Sequence, residues 1–231
     1  SFDAAAVEKM PGVKKVLAVG DNAVAVVADT WWRAKTALEA LPIVWDEGPN
    51  ARADSAGTAA MLRAGLDAEQ AAVGNSNGNV KDGLAGAARR IEAVYAYPHQ
   101  NHATMETMNA TAKITLSATG TPERCEVWTP TQNGEAALAA AAEAAGLPPT
   151  QCEVYKIHLG GGFGRRLEAD YAVQAAQLAV AMAGKPVKLT WRREEDMTHD
   201  QYRPAAVARF RGLAAKGTVQ ALDVRAPRAA R

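Results

Sequence analysis

With 231 residues, 48% hydrophobic and 22% charged, the chain has an ordinary globular composition and length for one large domain or two small ones. Its formal net charge of +1 leaves no electrostatic footprint for nucleic acid or an anionic membrane. No apolar run approaches the ~20 residues that cross a bilayer, and no signal-peptide pattern opens the sequence.

Val13–Val19 and Ala23–Ala28 read as strands around the turn Gly20-Asp21-Asn22. Asp29 or Thr30 then caps a helix over Trp31–Leu41, and Pro42 hands over to a strand ending at Trp45, completing a ββαβ unit. From Asp46 to about Gly86 the composition turns to Gly, Asn, Ser, Asp and Ala. Asn75-Ser76-Asn77-Gly78-Asn79 is a loop, and a helix is expected around Ser55–Leu66. This stretch reads as an inter-domain connection, ordered against its neighbours through Leu62 and Leu66.

A second unit begins near Arg89, with Ile91–Tyr97 alternating as a strand. After the irregular His99–Ala110, Thr111–Ser117 and Glu123–Thr129 form a strand pair. Thr131-Gln132-Asn133 precedes a helix over Gly134–Ala145, which Gly146 ends ahead of Pro148-Pro149. A strand at Cys152–His158, a helix at Leu167–Ala183 stopped by Gly184 and Pro186, and a strand at Val187–Trp191 follow. Strand–helix–strand–helix–strand at these lengths argues for crossover units. Ala206–Gly212 and Thr218–Arg225 are strands about the turn signal Lys216-Gly217. Opening on Ser1-Phe2 and stopping at Arg231 without a closing element, the sequence reads as a piece of something longer.

The most chemically suggestive segment is Leu159-Gly160-Gly161-Gly162-Phe163-Gly164-Arg165-Arg166, at an expected strand-to-helix junction. Glycines let backbone N–H groups approach a ligand, and a helix N-terminus offers unpaired donors to an anion. Two cations in a helix's first turn oppose its dipole at roughly 0.3–1 kcal/mol, which a bound anion would offset. An ordinary glycine turn with two solvated arginines is the competing reading. Neither nucleotide fingerprint fits: Arg165 stands where a dinucleotide loop needs its third glycine, and no Lys-Ser or Lys-Thr completes a P-loop.

Other candidates have plainer readings. His99, His102 and Glu106 could share a helical face as metal ligands, but Pro98 weakens the helix and no third strong ligand stands at usual spacing. A polar loop tied by local hydrogen bonds is expected instead. Glu194-Glu195-Asp196 reads as a solvated face or helix N-terminal charge, and Asp29 and Asp200 beside His199 have equally plain explanations. Cys125 and Cys152 match no metal or redox spacing and read as buried free thiols, with a bridge as the alternative.

Thr131-Gln132-Asn133, the alanine-rich helix, Gly146-Leu147-Pro148, the short strand and Gly160-Gly161-Gly162-Phe163-Gly164 resemble the molybdenum-binding region of the xanthine oxidase/aldehyde oxidase family. GGGFGRRLEADY, the upstream His102-Ala103-Thr104-Met105-Glu106-Thr107-Met108-Asn109 and the downstream Trp191-Arg192-Arg193-Glu194-Glu195-Asp196-Met197 narrow the resemblance. The likeness is closest to its isoquinoline 1-oxidoreductase β-subunit branch, which membrane-associated bacterial aldehyde dehydrogenases share. That resemblance implies an α+β, mixed α/β fold: a partial hammerhead unit at 1–47, a connection at 48–88, and the first part of a molybdopterin-binding domain at 89–231. It implies molybdopterin with molybdenum, in a cytosine dinucleotide form, and [2Fe-2S] clusters on a partner subunit. It further implies hydroxylation of an N-heteroaromatic or aldehyde substrate with oxygen from water.

By the same resemblance Gly161, Gly162, Phe163, Gly164 and Arg165 bind the cofactor, and Gln100 falls where relatives place a glutamine that hydrogen-bonds an apical oxo ligand. Leu167 stands where purine-oxidising relatives carry Glu, and Tyr202-Arg203-Pro204 where they carry an Arg before His-Pro, so xanthine is not expected as substrate. The family's catalytic Glu lies beyond Arg231, so this chain alone is expected to be inactive. The remainder of the molybdopterin subunit and an iron–sulfur subunit are the implied partners, and the implied compartment is the bacterial periplasm or the cytoplasm, with the periplasm favoured by resemblance. A non-catalytic assembly module of the same fold is the alternative.

Overall fold

The computed structural model describes residues 1–87, 89–215 and 217–227. Two compact units emerge, each built from two separate stretches: Ser1–Asp46 with His102–Gln201, and Glu47–Asn101 with the chain from Tyr202 onward. The expected junction at 47/48 lies one residue from the first crossing between units, whereas the span from 89 is divided between them. The boundary at 88, the end at 231 and the Lys216 half of the last turn lie outside the described residues.

In the first unit, β1 (Val13–Val19) and β2 (Ala23–Ala28) form an antiparallel hairpin. Helix α1 (Trp31–Ala40) follows, and Thr30, not Asp29, is its cap: Thr30 Oγ1 accepts the Arg33 N–H at 3.3 Å. Asp29 instead pairs with the Arg33 side chain. The strand expected before Trp45 shrinks to a single bridge, Phe2 to Ile43, because only the first residues of the chain lie beside it. Val7, Ala37 and Leu41 fill the space between hairpin and helix.

The larger sheet of this unit has the order β6-β5-β4-β7, from β4 (Asn109–Leu116), β5 (Pro122–Thr129), β6 (Cys152–Lys156) and β7 (Val187–Thr190). β5 and β6 are parallel while β4 runs against both β5 and β7, so β5, β6 and β7 point the same way. Helix α4 (Gly134–Ala145) is the β5–β6 crossover, and α5 (Asp170–Ala181) carries the chain from one sheet edge to the other. Alternation along β4 buries Ala110, Ala112 and Ile114. These small side chains let the alanines of α5 approach closely, and the alanines of α4 join the same core. Cys125 and Cys152 are register partners on parallel strands, both free; burial pushes the Cys125 thiol up to about 12.

The α4 boundaries follow sequence chemistry. Asn133 Oδ1 accepts the Ala136 N–H at 3.2 Å, and Gly146 closes the helix at φ +66°. Asn133→Ala is expected to destabilise the protein by about 1 kcal/mol, read as a shift in the urea midpoint at unchanged slope.

The second unit holds an antiparallel sheet β3-β8-β9, from β3 (Ile91–Tyr97), β8 (Ala206–Ala215) and β9 (Thr218–Arg225). The low-complexity stretch contributes two helices, α2 (Ser55–Gly65) and the unanticipated α3 (Val80–Ala85), whose cap Asn79 belongs to the expected loop. Leu62 and Leu66 are buried against Ala205 and Val207, so apolar residues read as part of a connection are core of this unit. Among the described residues, no helix is long and apolar enough to cross a membrane.

Candidate functional site

The glycine run leaves the end of β6 and is gripped by two neighbouring segments. Gly160 and Glu106 exchange hydrogen bonds: the Gly160 N–H donates to Glu106 Oε2 at 2.8 Å, and the Glu106 N–H donates to the Gly160 carbonyl at 3.1 Å. A Cβ on Gly160 would overlap the Glu106 side chain, so glycine is required for this approach. Gln132 Oε1 accepts the Gly164 N–H at 3.0 Å, while the Gln132 N–H and the Thr131 hydroxyl both donate to the Arg166 carbonyl.

Gly161 and Gly164 have φ of +104° and +105°, and Phe163, at +53°, joins them on the left-handed side with its ring exposed. The other described non-glycine residue at positive φ is Ala103, at +46°, in the segment that precedes Glu106. Such backbone costs of order 1–3 kcal/mol and concentrates at functional sites. The amides of Gly161 and Gly162 meet no protein acceptor among the described residues, although Gly162 is buried. Two unpaired donors on a braced loop suit an anionic group approaching with hydrogen-bond acceptors.

The arginines correct the expectation of free cations. Neither lies in the first turn of an α-helix: a single tight turn, Arg165–Leu167, separates the glycines from α5, which begins at Asp170 and not Leu167. Both side chains are essentially fully buried, Arg165 at 1% and Arg166 at 0% exposure. Arg165 makes a bidentate pair with Asp170 at 3.0 and 2.8 Å, and its Nε lies 3.3 Å from Asp200 Oδ1, near enough for charge pairing but not aligned as a hydrogen bond. Burial lowers the Arg165 pKa, but Asp170 and Asp200 outweigh it and the net shift is upward. Arg166 donates to the carbonyls of Gly161 at 2.8 Å, Glu106 at 2.7 Å and Pro130 at 3.3 Å, and to Glu106 Oε2 at 3.0 Å. These guanidiniums hold the loop's inner side.

His99, His102 and Glu106 lie in an irregular polar stretch and not on one helical face. Glu106 serves Gly160 and Arg166, His102 serves Asp200, and His99 belongs to the other unit. Among the described residues no group of three His, Cys, Asp or Glu could hold a metal ion. The acidic triplet is only partly the expected helix start. Helix α6 (Arg193–Thr198) uses Glu195 to accept the Arg192 N–H at 2.8 Å, but Asp196 is buried at 4% exposure. Arg193 pairs with Asp196 at 2.8 Å and donates to the carbonyls of Thr104 and Met105 at 2.7 and 2.8 Å. Burial raises the Asp196 pKa, opposed by Arg193. The downstream Trp-Arg-Arg segment thus braces the segment that grips the glycines.

Gln100 lies in the second unit, exposed, and exchanges backbone hydrogen bonds with Arg203 at 3.3 and 2.9 Å. The two positions singled out by resemblance, Gln100 and Arg203, are therefore direct neighbours. Leu167 is 52% exposed. Sequence reasoning gave no role of its own to Gln132, quoted only within the family-like segment, and treated Asp200 as unremarkable; Asp200 is a buried acceptor for His102 and an ion-pair partner of Arg165. The signal for Gln132 was its place before the Asn133 cap, at the end of a strand adjacent to β6.

The model of the molybdopterin cofactor-binding domain matches residues 66–228. Membrane-bound aldehyde dehydrogenase [pyrroloquinoline-quinone] of Gluconacetobacter polyoxogenes is 28% identical over 98% of the chain and 30% of its own length. Isoquinoline 1-oxidoreductase subunit beta of Brevundimonas diminuta is 27% identical over 90% of the chain and 27% of that protein. Among solved structures, quinoline 2-oxidoreductase of Pseudomonas putida 86 superposes with a TM-score of 0.69 at 19% identity, covering 98% of this chain and 33% of that one. Aldehyde oxidoreductase of Desulfovibrio gigas gives 0.68 at 20% identity, over 97% and 29%. The chain therefore spans about a third or less of each of these relatives. With the family model matching well over half of its length, and the mixed α/β fold of the molybdenum hydroxylases around a braced glycine loop, this chain belongs to the molybdopterin cofactor-binding domain family.

Proposed function

We propose that this chain forms one wall of the cofactor site of a molybdenum hydroxylase acting on an N-heteroaromatic or aldehyde substrate. The observation that carries this reading is the pair of unpartnered amides at Gly161 and Gly162, on a loop fixed by Glu106, Gln132 and Arg166 inside the matched segment. When bound, the molybdenum–pterin group supplies two-electron oxidation at an electron-poor carbon, with oxygen drawn from water. The Gly161 and Gly162 amides donate to it as fixed neutral dipoles, which stabilise negative charge without transferring a proton. Phe163 and Gly164 complete the loop's cofactor face. By resemblance alone Gln100 is a further neutral amide for the cofactor, and Arg165, buried and paired with Asp170, supports the loop.

The wider assignment belongs to the same proposal. The cofactor is taken in its cytosine dinucleotide form, and electrons leave to [2Fe-2S] clusters on an iron–sulfur partner. The catalytic Glu comes from the remainder of the molybdopterin subunit, so this chain alone is inactive, and the assembly works in the periplasm. Spans 1–47, 48–88 and 89–231 are read as partial hammerhead, connection and first cofactor-domain part. Leu167 in place of Glu, and Tyr202-Arg203-Pro204 in place of Arg-His-Pro, support a preference against purines, with Arg203 able to stand in only in part for the arginine. The assembled enzyme containing this chain is expected to carry stoichiometric molybdenum and pterin by elemental analysis and pterin fluorescence, and to oxidise isoquinoline-type heterocycles or aldehydes but not xanthine. Consistent absence of molybdenum, or a quinone cofactor in its place, sinks the reading.

A further inference from the structure

We infer that His102 is a ligand-facing hydrogen-bond acceptor of the glycine-loop site, a role that rests on the molybdopterin reading above. The Asp200 carboxylate accepts the His102 backbone N–H at 2.5 Å and lies 2.9 and 3.1 Å from Nδ1 through its two oxygens. A carboxylate in this position accepts, so Nδ1 carries the hydrogen, and in the neutral ring the opposite nitrogen, Nε2, presents its lone pair. Asp200 is itself 2% exposed and its Oδ1 also lies 3.3 Å from Arg165 Nε, so the ring has one supported orientation. A His oriented by a buried carboxylate through Nδ1, with Nε2 turned to a ligand, is the arrangement by which proteins fix imidazole direction.

Nε2 points at the glycine loop. A Cβ on Gly164 would lie 3.7 Å from it, and that atom is the nearest neighbour such a Cβ would meet, so the glycine leaves open the space before the lone pair. No protein donor reaches Nε2 among the described residues, although the side chain is only 10% exposed. An acceptor without a protein partner, open to the site on a ring otherwise mostly covered, lies beside the loop that carries two unpartnered donors and is their polar complement. Ala103, the next residue, is held at φ +46°, so strained backbone lies directly beside this ring. The matching ligand group is an N–H or O–H donor, carried either by the bound pterin or by the substrate.

Two substitutions in the assembled enzyme separate the roles of the ring nitrogens. His102→Asn keeps a donor for Asp200 and removes the acceptor at Nε2; His102→Gln places an amide oxygen near the Nε2 position. If the donor is on the pterin, H102N lowers molybdenum and pterin content by about tenfold or more and H102Q recovers part of it. If it is on the substrate, content stays at the wild-type level, KM rises about tenfold in H102N, and H102Q again recovers part of the loss. Either pattern, with equal thermal midpoints for the two variants, supports the assignment. Equal content and equal KM in H102N, H102Q and wild type overturn it, as does equal loss in both variants, which marks a purely structural histidine. A wild-type enzyme that holds no molybdenum overturns the molybdopterin reading first, and this assignment with it.

Discussion

Gly162→Val is expected to lower the molybdenum content of the assembled enzyme by about tenfold or more while leaving the fold in place. The backbone of Gly162 is not in the left-handed region, so the objection to a side chain is space alone. A Cβ would lie 2.5 Å from Gln132 Oε1, 2.7 Å from its Cδ and 3.1 Å from its Cγ. Because the overlap extends inward to Cγ, the whole Gln132 side chain must swing away, and its 3.0 Å bond to the Gly164 N–H goes with it. The loop then loses the contact that fixes the end nearest His102, and a branched side chain screens the two free amides. Gly134→Ala is the matched control, since nothing lies within 4 Å of a Cβ there and loading is expected to remain normal. Elemental analysis of both variants decides the matter, and unchanged molybdenum in Gly162→Val would displace the cofactor from this loop.

Arg166→Leu is expected to be the most destabilising single change in the first unit, at about 3–5 kcal/mol. The guanidinium is wholly buried and serves the carbonyls of Gly161, Pro130 and Glu106 together with the Glu106 carboxylate. Leucine fills part of the volume but strands those acceptors away from water. Lysine does not substitute well, because a single ammonium cannot meet acceptors spread around a planar fork. Glu106→Gln is expected to cost only about 1 kcal/mol, because that side chain is one third exposed and an amide still accepts from Gly160. Thermal midpoints of the two variants, compared side by side, test the ordering, and a larger loss in Glu106→Gln would contradict it.

Much of the fold was legible because local chemistry and packing agreed. The β-forming runs Val13–Val19 and Ala23–Ala28 about the turn Gly20-Asp21-Asn22, and the Asn133 cap followed by alanines and Gly146, each specify one structure. Failures arose where the deciding partner is remote in sequence. Pro42–Trp45 had strand chemistry but almost nothing to pair with, and α3 formed in a stretch whose composition says only loop. For the site, the glycines were legible because absent side chains constrain backbone directly. Arg165 and Arg166 were misjudged because a sequence reports charge and not counter-charge; their acceptors sit at Asp170 and Asp200 and at Glu106 and Pro130. Asp200 became informative only once folding put His102 against it.

The bracing of the glycine run by Glu106, Gln132 and Arg166 bears on the order of assembly. A loop whose shape is dictated by protein contacts does not wait for its ligand to acquire that shape, so little conformational entropy is lost when the ligand docks. This chain is thus the opposite of a zinc finger, in which the metal is the core and binding is folding. If the proposed cofactor binds this loop, the receptor is finished first and filled afterwards, and cofactor delivery becomes a separate, late event.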